Sequence, residues 1–364
     1  MDTVSYKPYG LQRAGEGRTS LKLLLAVSVL ATAALLLGAF LLSPGESAEE
    51  APPSEHVAGV SNLVYPSSLV QEIAQPVDDA WVLPAASTAV GGAVFVADTG
   101  NNRILKLDQS GRVLAAFDMA ASGERAVRQP MAIASDGSRL FVANSLASEV
   151  LVLNLSGQVE QVWPLQSTTS GAIPPRPIGL AVTADGGVVV SDADNHRVIR
   201  LDGEGRVVWS AGTGTRAGGA DGFNVPAGLA VDASGNIYVV DVLNGRVVML
   251  SPDGAFLRQF AEFGDSAGKL ARPKGVAVDR AGRVFVSDGL QVAVQVFAPD
   301  GSYLGYIARR DPADPGSGSL FQAPAGLSLA GNQLLVTDRL GGLVTLRLPD
   351  EPHVAPTAAG SEGG

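Results

Sequence analysis

Six repeats of one short pattern predict an all-β chain folded as a six-bladed β-propeller of four-stranded antiparallel blades, preceded by one N-terminal transmembrane helix. Three observations carry that expectation. An aspartate or asparagine closing an apolar run recurs at Asp98, Asn144, Asp192, Asp241, Asp288 and Asp338, at intervals of 46, 48, 49, 47 and 50 residues. The runs are β-branched or aromatic, as in Val94-Phe95-Val96, Val188-Val189-Val190 and Ile237-Tyr238-Val239. Short strands at a period in the forties, with no helical stretch between them, are the signature of propeller blades. Lastly, residues 23–42, LLLAVSVLATAALLLGAFLL, hold 20 residues without a charge, enough as a helix to cross about 30 Å of hydrocarbon.

Taken in order, residues 1–22 carry a net charge of +2 from Lys7, Arg13, Arg18 and Lys22 against Asp2 and Glu16. Glu46, Glu49 and Glu50 follow the apolar run. Basic residues stay on the cytoplasmic side, so residues 1–22 are expected to be a short cytoplasmic segment and the rest extracytoplasmic, in the periplasm or at the cell exterior. The competing reading is a cleaved signal peptide with a small-residue site at Gly45-Glu46-Ser47, against which stands a leader long for that purpose. Residues 43–60, rich in Pro, Ser, Glu and Ala, read as a flexible stalk. Residues 349–364 read as a disordered tail. The chain has a net charge of −10, which makes everything beyond residue 22 strongly acidic and argues against a nucleic-acid partner. It has no cysteine, so neither disulfides nor thiolate metal sites enter.

The propeller is expected over residues 61–348. Each repeat opens on a proline followed by small and apolar residues, as in Pro177-Ile-Gly-Leu-Ala and Pro273-Lys-Gly-Val-Ala, suited to strands crowding around one axis. After the aspartate, a strand such as Arg246-Val-Val-Met-Leu runs into a glycine turn such as Pro252-Asp-Gly, a hairpin signal. Each unit thus reads as strands a to d from the axis outward. The sixth unit stops after strand c, and residues 69–77 are expected to supply its outer strand. Pairing the beginning of the chain with its end would remove an exposed sheet edge.

With these residues in view, the units resemble NHL repeats. The segments VADTGNNRI, VSDADNHRV and VVDVLNGRV match that family's aspartate followed by asparagine-x-arginine, and the glycine-rich stretch from Gly212 to Pro226 is similar to its inter-blade connection. The resemblance implies a six-bladed propeller. It leaves function open, because such propellers serve as binding modules and as enzymes.

Candidate residues follow. The pairs Asp98/Arg103, Asp192/Arg197 and Asp241/Arg246 span a short loop between strands b and c and are expected to bond each other or the loop amides. Blades 2, 5 and 6 carry Glu149, Ala293 and Leu343 at the arginine position. Three histidines, His56, His196 and His353, are too few inside the propeller for the zinc site of the amidating lyases that share the fold. No metal site and no catalytic residue is assigned. Two residues after the recurring Asp or Asn stand Leu146, Leu243, Leu290 and Leu340, on the face that also carries the long d–a loops. They either fold under those loops or form an exposed apolar patch, the usual mark of a protein-binding site. The expected function is a membrane-anchored extracytoplasmic binding or scaffolding module. It would dock a protein or peptide partner on that face and need no cofactor. The alternative is a calcium-dependent hydrolase or lactonase-like enzyme with its site at the axial mouth; Asp311-Pro-Ala-Asp-Pro-Gly-Ser-Gly is a loop with oxygen ligands for calcium or, on its turn residues, a solvated connection.

Overall fold

Branched and aromatic residues fill the middle strands of every repeat because each blade is covered on both faces by its neighbours. Outer strands, exposed along one edge, alternate. A computed structural model of the chain describes residues 70–73, 80–118, 126–167, 173–307 and 318–348. The expected cytoplasmic segment 1–22, transmembrane helix 23–42, stalk 43–60 and tail 349–364 lie outside them. Among the described residues no helix is long and apolar enough to cross a membrane.

The first strand, β1 (Val70–Ile73), stands apart from the rest. Blade I comprises β2 (Ala86–Val90), β3 (Ala93–Asp98), β4 (Arg103–Leu107) and β5 (Val113–Phe117). Blade II comprises β6 (Pro130–Ser135), β7 (Arg139–Asn144), β8 (Glu149–Asn154) and β9 (Val159–Pro164). Blade III runs through β10 (Pro177–Val182), β11 (Val188–Asp192), β12 (Arg197–Leu201) and β13 (Val207–Ala211). Blade IV is formed by β14 (Pro226–Val231), β15 (Ile237–Asp241), β16 (Arg246–Leu250) and β17 (Phe256–Phe260), and blade V by β18 (Pro273–Val278), β19 (Val284–Asp288), β20 (Ala293–Phe297) and β21 (Tyr303–Ile307). Blade VI has β22 (Pro324–Ala330), β23 (Gln333–Asp338) and β24 (Gly342–Arg347). All six sheets are four-stranded and antiparallel. In blade VI the order is β1-β24-β23-β22, with Val70 opposite Leu346 and Ile73 opposite Leu343. Every residue of β11, β12, β15, β19 and β20 is buried, whereas β5 alternates between half-buried and exposed.

Two packing contacts recur between neighbouring blades. At the axis, the glycine of each proline-x-glycine segment meets the next inner strand. A Cβ on Gly179 would lie 1.9 Å from the Ala227 carbonyl oxygen, and one on Gly228, Gly275 or Gly326 would lie 2.4 Å from a carbonyl oxygen of the following blade. At the rim, a large side chain of one outer strand lies over the turn glycine of the next blade. Phe117 covers Gly157, Trp163 covers Gly205, Trp209 covers Gly254 and Phe260 covers Gly301. β1 repeats this contact, since Ile73 covers Gly111 of blade I and is buried with Trp81, Val94, Leu107 and Leu335. The N-terminal strand therefore both completes blade VI and packs it onto blade I.

Two predictions follow from this packing. Ile73→Ala should cost about 2–5 kcal/mol, the range for truncating a buried aliphatic side chain, read as a lower urea midpoint; an unchanged midpoint would show that the ring closes without β1. Gly179→Ala should lower the melting temperature by several degrees or prevent folding, because the neighbouring backbone cannot yield. Gly219→Ala, where an added Cβ meets nothing within 4 Å, should leave the melting temperature unchanged, and equal effects at the two positions would contradict the crowding argument.

Candidate functional site

In a blade whose strands run in order from the axis outward, the b–c turns and the d–a loops emerge on the same face. The recurring Asp or Asn ties these two together. Asp98, Asn144, Asp192, Asp241, Asp288 and Asp338 are all fully buried. One carboxylate oxygen of Asp98 accepts the Val82 amide at 2.7 Å, and the other accepts Asn101 Nδ2 at 2.8 Å and Arg103 Nε at 2.7 Å. Asp192 does the same with the Arg176 amide, Asn195 and Arg197, and Asp241 with the Asn224 amide, Asn244 and Arg246. Charge-assisted bonds of this kind are about twice as strong as neutral ones. Burial pushes the Asp241 carboxyl upward, while the Asn224 amide, Asn244 and Arg246 pull it back.

Blades without the arginine reach the same end differently. In blade II, Asn144 accepts the Arg128 amide at 2.6 Å and its own amide donates to Glu149 Oε1 at 2.8 Å, so donor and acceptor are exchanged between the partners. Asp288 takes the amides of Ala271, Leu290 and Gln291, and Asp338 those of Gln322, Leu340 and Gly341. His196, with φ 48°, accepts the Val225 amide through Nδ1 at 3.1 Å, as Asn102 accepts the Gln129 amide two blades earlier. Burial is the main cause that lowers its pKa. These groups hold the loop face in shape, and neither the recurring Asp and Asn residues nor His196 line the axial cavity.

Leu146, Leu243, Leu290 and Leu340 sit at the tips of four b–c turns and are 64%, 54%, 62% and 60% exposed. In blade I the position is Gly100, pressed against Val82; in blade III it is Asp194, whose carboxylate pairs with Arg176 at 2.6 Å. Ile173 and Phe263 add exposed apolar surface from the d–a loops. With Val82, this face carries seven of the eleven large exposed hydrophobic residues among the described residues; the other four are on outer strands. The candidate calcium loop at 311–318 lies almost wholly outside the described residues.

At the centre of this face opens an axial cavity of about 270 Å³. Its wall is built from the inner strands and the turns beside them and, among the described residues, carries no Asp, Glu or His. Its charged members are Arg176, Lys274 and Arg339. Arg176 is partnered by Asp194. Lys274 has neither hydrogen bond nor ion pair among the described residues, and Arg339 Nε is buried without a hydrogen-bond partner. Burial, followed by repulsion from Arg272, Arg339 and Arg176, draws the Lys274 ammonium down to about 8. Burial likewise lowers Arg339. Sequence reading passes over this cluster. Its one signal is that the residue between proline and glycine is Ile178, Ala227 and Ala325 in three blades but Lys274 in the fourth. Among the described residues no group of three or more His, Asp or Glu side chains converges on a common point.

The lysine makes stability depend on pH in a defined sense. Its pKa falls from 10.5 unfolded to about 8 folded, so between those values the unfolded chain holds more protons and stability rises with pH. Below about 8 the cost of the confined charge is present in full. Lys274→Met should melt higher than the parent at pH 7 and should lack the rise between about pH 8 and 10 in a series of thermal melts. A parallel rise in both proteins would mean that other groups produce it.

Comparison with known proteins completes the description. Virginiamycin B lyase from Staphylococcus aureus superposes with a TM-score of 0.54 at 12% identity, covering 77% of this chain and 99% of the lyase. A gluconolactonase from Xanthomonas campestris gives 0.55 at 20% identity, covering 80% and 95%. A protein of unknown function from Bacteroides thetaiotaomicron gives 0.56 at 17% identity, covering 79% and 75%. At such identities the likeness is one of fold. No curated protein matches the sequence. One family matches residues 100–350, more than half of the chain, in a span that takes in all but the first strands of the propeller. The chain belongs to the family described as outer membrane protein assembly factor BamB.

Proposed function

We propose that this protein is a binding and scaffolding module, anchored in a membrane through residues 23–42, with an NHL-type propeller on the extracytoplasmic side. It docks a protein or peptide partner on the face of the b–c turns and d–a loops. The observation that carries the reading is the exposure of Leu146, Leu243, Leu290 and Leu340 at turn tips held rigid by buried carboxylates or carboxamides. An apolar rim on a pre-organised face binds without first ordering its loops, which lowers the entropic cost of association. The family description, an outer membrane protein assembly factor, supports work on other proteins at a cell envelope.

The enzymatic alternative draws on the lyase and gluconolactonase folds. Calcium is held by six to eight oxygen ligands, and a wall bearing Lys274, Arg176 and Arg339 with no carboxylate among the described residues repels a divalent cation. The binding reading is therefore preferred.

Photo-crosslinking in the full-length chain, expressed in its own cells, tests it. A photoreactive residue at Leu290 or Leu340 should give discrete protein adducts, and one at Val207, equally exposed but on an outer strand, should give none. Adducts of equal yield at all three positions, or none at the two leucines, would refute the docking face.

A further inference from the structure

We propose that the axial mouth is a binding site for a carboxylate carried on a short aliphatic body. The site stands on the cavity wall alone and does not depend on the leucine rim.

A chain of net charge −10 concentrates positive charge where three blades meet. Lys274 comes from inner strand β18, Arg339 from the b–c turn of blade VI, and Arg176 precedes β10. Arg272 lies close enough to Lys274 to repel it. Like charges confined in this way are unfavourable without a counter-charge. Among the described residues Arg176 is ion-paired with Asp194, and Asp288 attracts Lys274 less strongly than Arg272, Arg339 and Arg176 repel it. The Lys274 ammonium has no hydrogen bond or ion pair among the described residues, and the Arg339 guanidinium, its buried Nε unpaired, also lines the cavity; donors of that kind bind carboxylates through charge-assisted bonds.

The rest of the wall specifies the body of the ligand. Around the cations stand Met131, Ile178 and Val242. Two residues beyond Ala227, Lys274 and Ala325 on their inner strands come Leu229, Val276 and Leu327. A volume of about 270 Å³ equals roughly nine waters at about 30 Å³ each, room for a short alkyl chain. Phosphate fits this wall poorly. Its further oxygens would face methyl groups, and a dianion loses more hydration than two donors return. Two sources present the favoured chemistry: a free aliphatic carboxylate, or the C-terminal carboxylate of a peptide ending in an apolar residue.

Calorimetric titration of the purified full-length chain tests the proposal, with hexanoate, hexanamide, inorganic phosphate, and the tripeptide Ala-Ala-Leu with a free or an amidated C-terminus. Hexanoate or the free-acid tripeptide should bind saturably. The matching amide and phosphate should bind at least tenfold more weakly. Lys274→Met and Arg339→Gln, each shown by circular dichroism to melt cooperatively, should each weaken carboxylate binding by about tenfold or more. Tighter binding of hexanoate assigns a free small molecule and tighter binding of the tripeptide assigns a chain end, and either order supports the site. The proposal is overturned if neither carboxylate binds, if amide or phosphate binds as tightly, or if both folded variants retain the parental affinity.

Discussion

A buried carboxylate or carboxamide that receives the backbone amide of an incoming loop is the constraint on which the rest of this propeller depends. Each blade must accept a chain that has just left the rim of the previous blade and has to turn inward to the axis. The side chain at the end of strand b captures that chain one or two residues before its proline, at Val82, Arg128, Arg176, Asn224, Ala271 and Gln322. At side chains buried this fully, each lone pair left unfilled would cost on the order of 1–3 kcal/mol. The partners differ between blades: arginine and asparagine in three, a glutamate facing an asparagine in one, and turn amides alone in two.

Once the loops are fixed, the blades need only be pressed together, and this is achieved at two radii. Near the axis glycines let one strand touch the next, and at the rim a large side chain covers a turn glycine. The second contact explains why the N-terminal strand matters beyond its four backbone pairings. Ile73 covers Gly111 in the way that Phe117 covers Gly157, so the closing blade meets its neighbour by the same contact as the others. A propeller closed in this way leaves only the short outer-strand edges of its blades unpaired.

The face created by these loops separates two kinds of chemistry. Residues two places after the recurring Asp or Asn point into solvent and are mostly leucine, giving an apolar rim. Residues one place after it include Val242 and Arg339, which line the axis. The mouth is thereby positive within an acidic protein. Solvent and salt screen the overall charge beyond about 8–10 Å, so a small ligand in the mouth responds mainly to the cations beside it.

The repeat period, the strand runs, the turn glycines and the paired aspartate and arginine were legible in the sequence, because each depends on residues within a few positions of one another. The leucines were legible as a recurring position too, since one turn geometry places them all. Their exposure depended on where the d–a loops come to rest, which no single repeat specifies. The outer strand from residues 70–73 was legible only through the missing strand of the last repeat. The cationic mouth was not legible. Arg176, Lys274 and Arg339 occupy different places in three different repeats, and they become neighbours only because the ring closes and brings distant blades to one axis. The sequence by itself thus determined the blade, a matter of local period and turn chemistry. Only the tertiary structure decided the site, because closing the ring sets which side chains share the channel.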